Sequence, residues 1–255
     1  VRRVGEARGW RVVDVSAAAA EALAASYQLA AFTNLEEAVR QLGPEAADIC
    51  TPTFCHYETI QQCCRLGLHA LCEKPMELTA ARAQGILDIE RQTDRRVMVA
   101  QVMRFWPEYH HMKELAEQHI FGPILSIQCR RLSAPPAWGA WLMQDNRSGG
   151  AVVDLQIHDM DFILHLLGMP QALTAVGREQ DGGINACLTQ LHYPEGLPVF
   201  LESSFLMPAS FPFRMYFSMA FEKAVAEMDF WRPREQRLMI YPQEGKAYSP
   251  TLTET

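Results

Sequence analysis

Through roughly the first hundred residues, short apolar runs alternate with longer stretches whose apolar positions recur at helical spacing. Trp10 to Val13 reads as a strand ending at Asp14, and Ala17 to Ser26 as an alanine-rich helix. Asn34, with Glu37 three residues on, has the form of a capping box and predicts a helix running to Leu42. Further strands are expected at Asp48–Cys50, Ala70–Cys72 and Arg96–Val102, with helices at His56–Leu66 and Thr79–Asp94 between them. Strands alternating with helices argue for βαβ units, hence a doubly wound parallel sheet.

The pattern then changes. Only Pro44, Pro52 and Pro75 precede Pro107, whereas twelve prolines occur from Pro107 onward. A helix is expected from Glu108 to Ile120, stopped by Gly122-Pro123, followed by a strand from Ile124 to Leu132 and a loop containing Pro135-Pro136, Trp138 and Trp141. Gly149-Gly150 introduces a helix from Ala151 to Leu167, which Gly168 ends. Beyond it, strand-like runs at Ala172–Val176, Ile184–His192, Val199–Phe205, Phe213–Phe221, Ala224–Phe230 and Leu238–Tyr241 are separated by short turns, the pattern of an antiparallel meander. The expected organisation is a parallel α/β domain over residues 1–103 and an α+β domain over 104–255, with the junction near Met103.

Composition narrows the classes of function. The 255 residues are 49% hydrophobic and 21% charged, the balance of a globular protein with a substantial core. The net charge of −7 and the lack of any basic run denser than Arg2-Arg3 or Arg130-Arg131 argue against a nucleic-acid partner. The longest apolar stretch, Ala151 to Leu167, is interrupted by Asp154, His158, Asp161 and His165, so it reads as a buried helix and no membrane association is expected. Seven cysteines without C-x-x-C spacing read as reduced core residues of a cytoplasmic protein.

Parallel sheets bind ligands beyond the carboxyl ends of their strands. Asp14, Thr51-Pro52, Glu73-Lys74-Pro75 and Gln101 to Arg104 all occupy such positions. Asp14 is suited to a ribose hydroxyl of a dinucleotide, and its charge would repel a 2′-phosphate; a plain surface acid is the equally weighted alternative. Lys74 follows an apolar run and is fixed behind by Pro75, so it is either a charge near a reacting oxygen or a surface partner of Glu73. The strongest local signal is Asp154 with His158: at i and i+4 they share one face of an otherwise apolar helix, and Asp161 and His165 continue the stripe. Such polar groups must line a cavity or satisfy one another, and histidine is the natural proton carrier near neutral pH. A metal hydrolase built on Asp154, His158 and Asp161 is a further alternative, weakened by the lack of a His or Cys cluster, so no metal is expected. His56 and Arg104 could face a cofactor or serve as helix-start and ion-pair residues; Tyr109 and Trp141 could face a sugar or simply pack.

Four segments in order carry a resemblance to a known family: Asp48-Ile49-Cys50-Thr51-Pro52-Thr53 with His56, Leu71-Cys72-Glu73-Lys74-Pro75, Met103-Arg104-Phe105-Trp106-Pro107, and Gly149-Gly150 with Asp154 and His158. In these the chain resembles the Gfo/Idh/MocA oxidoreductases, a family that includes inositol dehydrogenases. The resemblance implies a Rossmann domain followed by an α+β domain with an open sheet used for homo-oligomerisation, with NAD, or alternatively NADP, as cofactor. It implies that Lys74, Asp154 and His158 are catalytic, that Asp14, Thr51, Pro52, His56, Glu73, Lys74, Gln101 and Arg104 lie along the cofactor, and that Tyr109, Trp141 and Asp154 border a sugar or cyclic polyol. A non-catalytic nucleotide-binding sensor of the same fold is the alternative function. The chain departs from the family pattern in having no G-x-G-x-x-G, so the expected Rossmann sheet is incomplete, lacking its first strand and phosphate-binding turn. The resemblance also predicts a further helical segment after Thr255, and the reading at this point is a truncated chain that binds dinucleotide poorly.

Overall fold

The structure, a computed structural model, describes residues 9–137, 139–180 and 183–252. The chain divides into two compact units. One gathers the described residues up to Cys50 with Cys55–Cys72 and Ala80–Met98; the other gathers Thr51–Phe54, Glu73–Thr79 and the chain from Val99 onward.

The first unit alternates strands and helices as β1 (Arg11–Val13), α1 (Ala17–Tyr27), β2 (Ala30–Phe32), α2 (Leu35–Leu42), β3 (Ala46–Ile49), α3 (His56–Arg65), β4 (His69–Cys72), α4 (Ala80–Thr93) and β5 (Val97–Val99). Local chemistry sets the helix starts. The Ser16 hydroxyl accepts from the Ala19 N–H, and the Asn34 side-chain oxygen Oδ1 accepts from the Glu37 N–H at 2.9 Å, each satisfying an otherwise orphaned donor of the first turn. Ile60, Cys63, Leu68, Cys72 and Ile86 form the apolar filling between helices and sheet. Gly85 on α4 leaves room for Tyr57 of α3, whose ring would lie 2.8 Å from an added Cβ. The strands form two separate sheets, β1–β2, which is parallel, and β3–β4–β5, with no described strand bonded between β1 and β3.

The second unit is built on a seven-stranded sheet. Its elements are α5 (Pro107–Glu117), β6 (Ile124–Leu132), a short α6 (Asp145–Ser148), a π-helical turn (Val152–Gln156) leading into α7 (Ile157–Leu167), and strands β7 (Ala172–Gln180), β8 (Gly183–His192), β9 (Pro198–Ser204), β10 (Arg214–Phe221), β11 (Ala224–Asp229) and β12 (Leu238–Pro242). The strand order is β12-β11-β10-β6-β9-β8-β7. The meander expectation therefore needs one correction: β6 inserts between β9 and β10 and runs parallel to β9. The reason is hydrophobic alternation. Ile127 and Cys129 of β6 point inward and complete the core between Leu201 of β9 and Phe217 of β10, which a strand at the sheet edge could not do. Tyr109 and Met112 of α5 and Phe162 and Ile163 of α7 pack on that inner face. The opposite face carries Val176, Leu188 and Phe200, all exposed, beside a cross-strand Arg130–Glu202 ion pair.

Candidate functional site

Lys74 leaves the end of β4 within a segment that belongs to the second unit. Its ammonium nitrogen lies 2.6 Å from Asp154 Oδ1 and 2.9 Å from the Asp154 main-chain oxygen. The two side chains retain 19% and 16% exposure, so the pair is sheltered yet reachable. A charge-assisted bond of this length is among the stronger polar contacts a protein makes. The i,i+4 spacing read from the sequence carries His158 one turn further along the same helical run.

His158 is held neutral. Burial is the main cause, and the charges of Arg131 and Lys74 add to it, so the imidazole's pKa is pushed down from 6.5 to about 2. Its Nδ1 is buried and has no hydrogen-bond partner among the described residues. Beneath it, Arg131 of β6 and Asp159 of α7 form a buried ion pair, with Nη2–Oδ1 at 2.7 Å and Nε–Oδ2 at 3.1 Å. Sequence reading missed this pair. The signal was present: Arg131 follows Ile127 and Cys129 at inward-facing alternate positions of β6, and Asp159 adjoins His158 in an apolar helix.

The remaining singled-out residues divide clearly. Thr51, Pro52, Glu73, Gln101 and Arg104 all belong to the second unit, with Lys74, Asp154 and His158; Asp14 and His56 belong to the first. Asp14 is exposed and accepts from the Ser16 N–H at 2.7 Å, which ties it to the start of α1. His56 is buried at the first position of α3. Glu73 accepts from the Lys74 N–H at 3.2 Å. The Gln101 side-chain oxygen Oε1 is buried with no hydrogen-bond partner among the described residues. Arg104 makes a bidentate contact to Asp161, at 2.6 and 2.8 Å, the ion-pair role that competes with cofactor contact. That contact also occupies the third ligand of a hypothetical Asp154/His158/Asp161 metal site, and among the described residues no cluster of three metal-ligating side chains occurs. Trp141 is half-buried and meets Phe54 edge-on at 6.2 Å, with the Arg147 guanidinium over the Phe54 ring at 4.8 Å.

Tyr109 requires a correction. It is fully buried and packed edge-to-face against Phe162 at 4.8 Å and Phe217 at 5.5 Å, so it is a core residue and does not border a substrate. The helical period of α5 turns position 109 toward the sheet together with Met112 and Leu115.

Residues 6–101 match the model of an oxidoreductase family with an NAD-binding Rossmann fold, and residues 109–246 match the GFO/IDH/MocA C-terminal domain. The chain is 34% identical over 174 residues to an inositol 2-dehydrogenase of Rhizobium meliloti, covering 67% of this chain and 51% of the relative. It is 27% identical over 162 residues to a D-glucoside 3-dehydrogenase of Escherichia coli, covering 62% and 46% respectively. The matched region thus spans about half the length of these relatives. Among solved structures, a UDP-N-acetylglucosamine 3-dehydrogenase of Acidithiobacillus ferrooxidans superposes with a TM-score of 0.78 at 21% identity over 96% of this chain and 75% of that one, a likeness of fold. No helix among the described residues is long and apolar enough to cross a membrane.

Proposed function

Because the chain belongs to the GFO/IDH/MocA oxidoreductase family, with an NAD-binding Rossmann domain, we propose that it oxidises a hydroxyl-bearing carbon of a sugar or cyclic polyol, with Lys74, Asp154 and His158 as the reacting group. The observation that carries the reading is the Lys74 ammonium fixed on Asp154, one helical turn from a neutral imidazole. The relatives named above are dehydrogenases of an inositol and a glucoside, which supports this substrate class.

Bound NAD supplies the acceptor for the hydride that leaves the carbinol carbon. His158 receives the hydroxyl proton, for which only its uncharged form is competent. Lys74 donates a hydrogen bond to the same oxygen and stabilises the negative charge that grows there. Asp154 holds the ammonium in place. Within the second unit, the buried Gln101 side-chain oxygen is an acceptor that a ligand amide or hydroxyl would satisfy; within the first, Asp14 is an exposed carboxylate beyond β1, of the kind suited to a ribose hydroxyl. Thr51, Pro52 and Glu73 follow β3 and β4, positions at which such sheets receive ligands. Trp141 contributes an aromatic face to the substrate. The uncovered sheet face bearing Val176, Leu188 and Phe200 is assigned to contact between copies of the chain, since an antiparallel sheet with exposed apolar positions gains by burying them.

The test is to mix the protein with NAD and a panel of sugars and cyclic polyols, following nicotinamide absorbance. The reading expects reduction with at least one of them. A protein that binds NAD, reduces it with none of the panel and instead changes its affinity for a partner on adding a sugar would be a sensor.

A further inference from the structure

We infer that the π-helical turn Val152–Gln156 is the positioning device of the site: it hands the main-chain carbonyl of Asp154 to Lys74, and Gly149 makes room for it. The inference deepens the reading of Lys74, Asp154 and His158 given above, and its test does not depend on turnover.

An α-helix bonds each carbonyl to the N–H four residues on, whereas a π-helical turn uses the fifth. Where the ladder returns from the fifth to the fourth, the count of donors falls one short and a carbonyl is left for an outside donor. Such a return is made where the turn Val152–Gln156 runs into α7. The Asp154 carbonyl, within this turn, accepts from Lys74 Nζ at 2.9 Å while its carboxylate accepts at 2.6 Å. One residue therefore grips the ammonium by both backbone and side chain. An ammonium has three donors. Two are engaged by Asp154, which leaves one direction in which Lys74 meets a substrate oxygen.

The approach to the turn is equally specific. Gly149 has φ +77°, and a Cβ there would lie 2.5 Å from Val153 Cβ and Cγ2. Gly150 has φ +68°, and a Cβ there would lie 3.0 Å from the Ile184 carbonyl oxygen. Val153 sits inside the turn, next to Asp154, so a side chain at position 149 would push directly on the segment that presents the carbonyl. Both a left-handed backbone and an absent side chain are required at this point.

Lys74, Lys113, Lys223 and Lys246 are the lysines of the chain, so side-chain ammonium signals from 15N-lysine-labelled protein are assignable by substitution. In the parent chain the Lys74 ammonium, held by two contacts to Asp154, is expected to exchange with water more slowly than the exposed Lys223 and Lys246. Deleting Val153, which restores α-helical spacing, is expected to raise the Lys74 exchange rate about tenfold or more, the size of one lost hydrogen bond to a charged group. Asp154→Asn is expected to give an intermediate rate, because the carbonyl contact survives. Gly149→Ala, which leaves the chain length unchanged, is expected to raise the rate as well. Unchanged Lys74 exchange in the deletion or in Gly149→Ala overturns the inference. So does an Asp154→Asn variant whose Lys74 already exchanges as fast as the exposed lysines. Absence of polyol-dependent NAD reduction alongside the expected exchange rates would instead sink the dehydrogenase reading and leave the positioning role standing.

Discussion

His158 ties stability to pH in a way that can be worked out in advance. In the unfolded chain its imidazole protonates near the ordinary value of 6.5; in the folded protein burial, Arg131 and Lys74 hold it down at about 2. A folded-state pKa below the unfolded one contributes stability that is fully present above pH 6.5 and is lost as pH falls from there toward 2. Each pH unit below 6.5 costs about 1.4 kcal/mol, so at pH 5 the loss from this one group is roughly 2 kcal/mol. His158→Gln removes the titration and keeps a polar side chain of similar reach. Urea unfolding of parent and variant at pH 8 and pH 5 isolates the effect, because all other titrating groups are common to both. The parent is expected to lose roughly 2 kcal/mol more than the variant between the two pH values. The C–H signals of the eight histidines give an independent check, with one ring remaining neutral down to pH 5. Equal acid sensitivity of parent and variant, or a His158 ring that titrates near 6.5, would refute the claim that the site holds a neutral imidazole.

Other perturbations follow from the same geometry. Arg131→Met or Asp159→Leu alone leaves a buried charge without its partner and is expected to cost about 3–5 kcal/mol in urea unfolding, whereas the double variant is expected to be close to neutral. Single variants each within about 1 kcal/mol of the parent would contradict the buried pair. Tyr109→Ala is expected to lose about 3–5 kcal/mol of stability as a core truncation; a stable variant with only weakened substrate binding would return Tyr109 to the site. Leu188→Glu is expected to lower the mass seen by light scattering without altering the circular dichroism spectrum, and an unchanged oligomeric state would remove the sheet face from consideration.

Much of this fold is legible in the chain because its signals are local. The Asn34 cap, the terminating Gly168 and the two-residue alternation of β8 to β11 are each written within a few neighbouring positions. β2 is not, since Ala30-Ala31-Phe32 is too short to display a period. The central placement of β6 is not either, because it depends on which distant strands complete one inner face. At the site, Asp154 and His158 are visible as polar residues on an apolar helix, and Lys74 as a charge following a strand. The π-helical turn leaves no periodic trace, because a single turn of five residues is too short to display a period of its own. Tyr109 misled because an aromatic near a site and an aromatic in a core look alike in sequence; only the packing of α5 on the sheet separates them.

The central claim, that Lys74 and His158 act on the oxygen of a carbon giving up hydride, is tested most directly by steady-state kinetics of Lys74→Ala and His158→Ala, with NAD binding measured separately. The account predicts NAD affinity close to the parent and a loss in kcat of about 10²–10⁴ for His158→Ala, with a comparable loss for Lys74→Ala. Undiminished turnover in either variant, with NAD still bound, would contradict it.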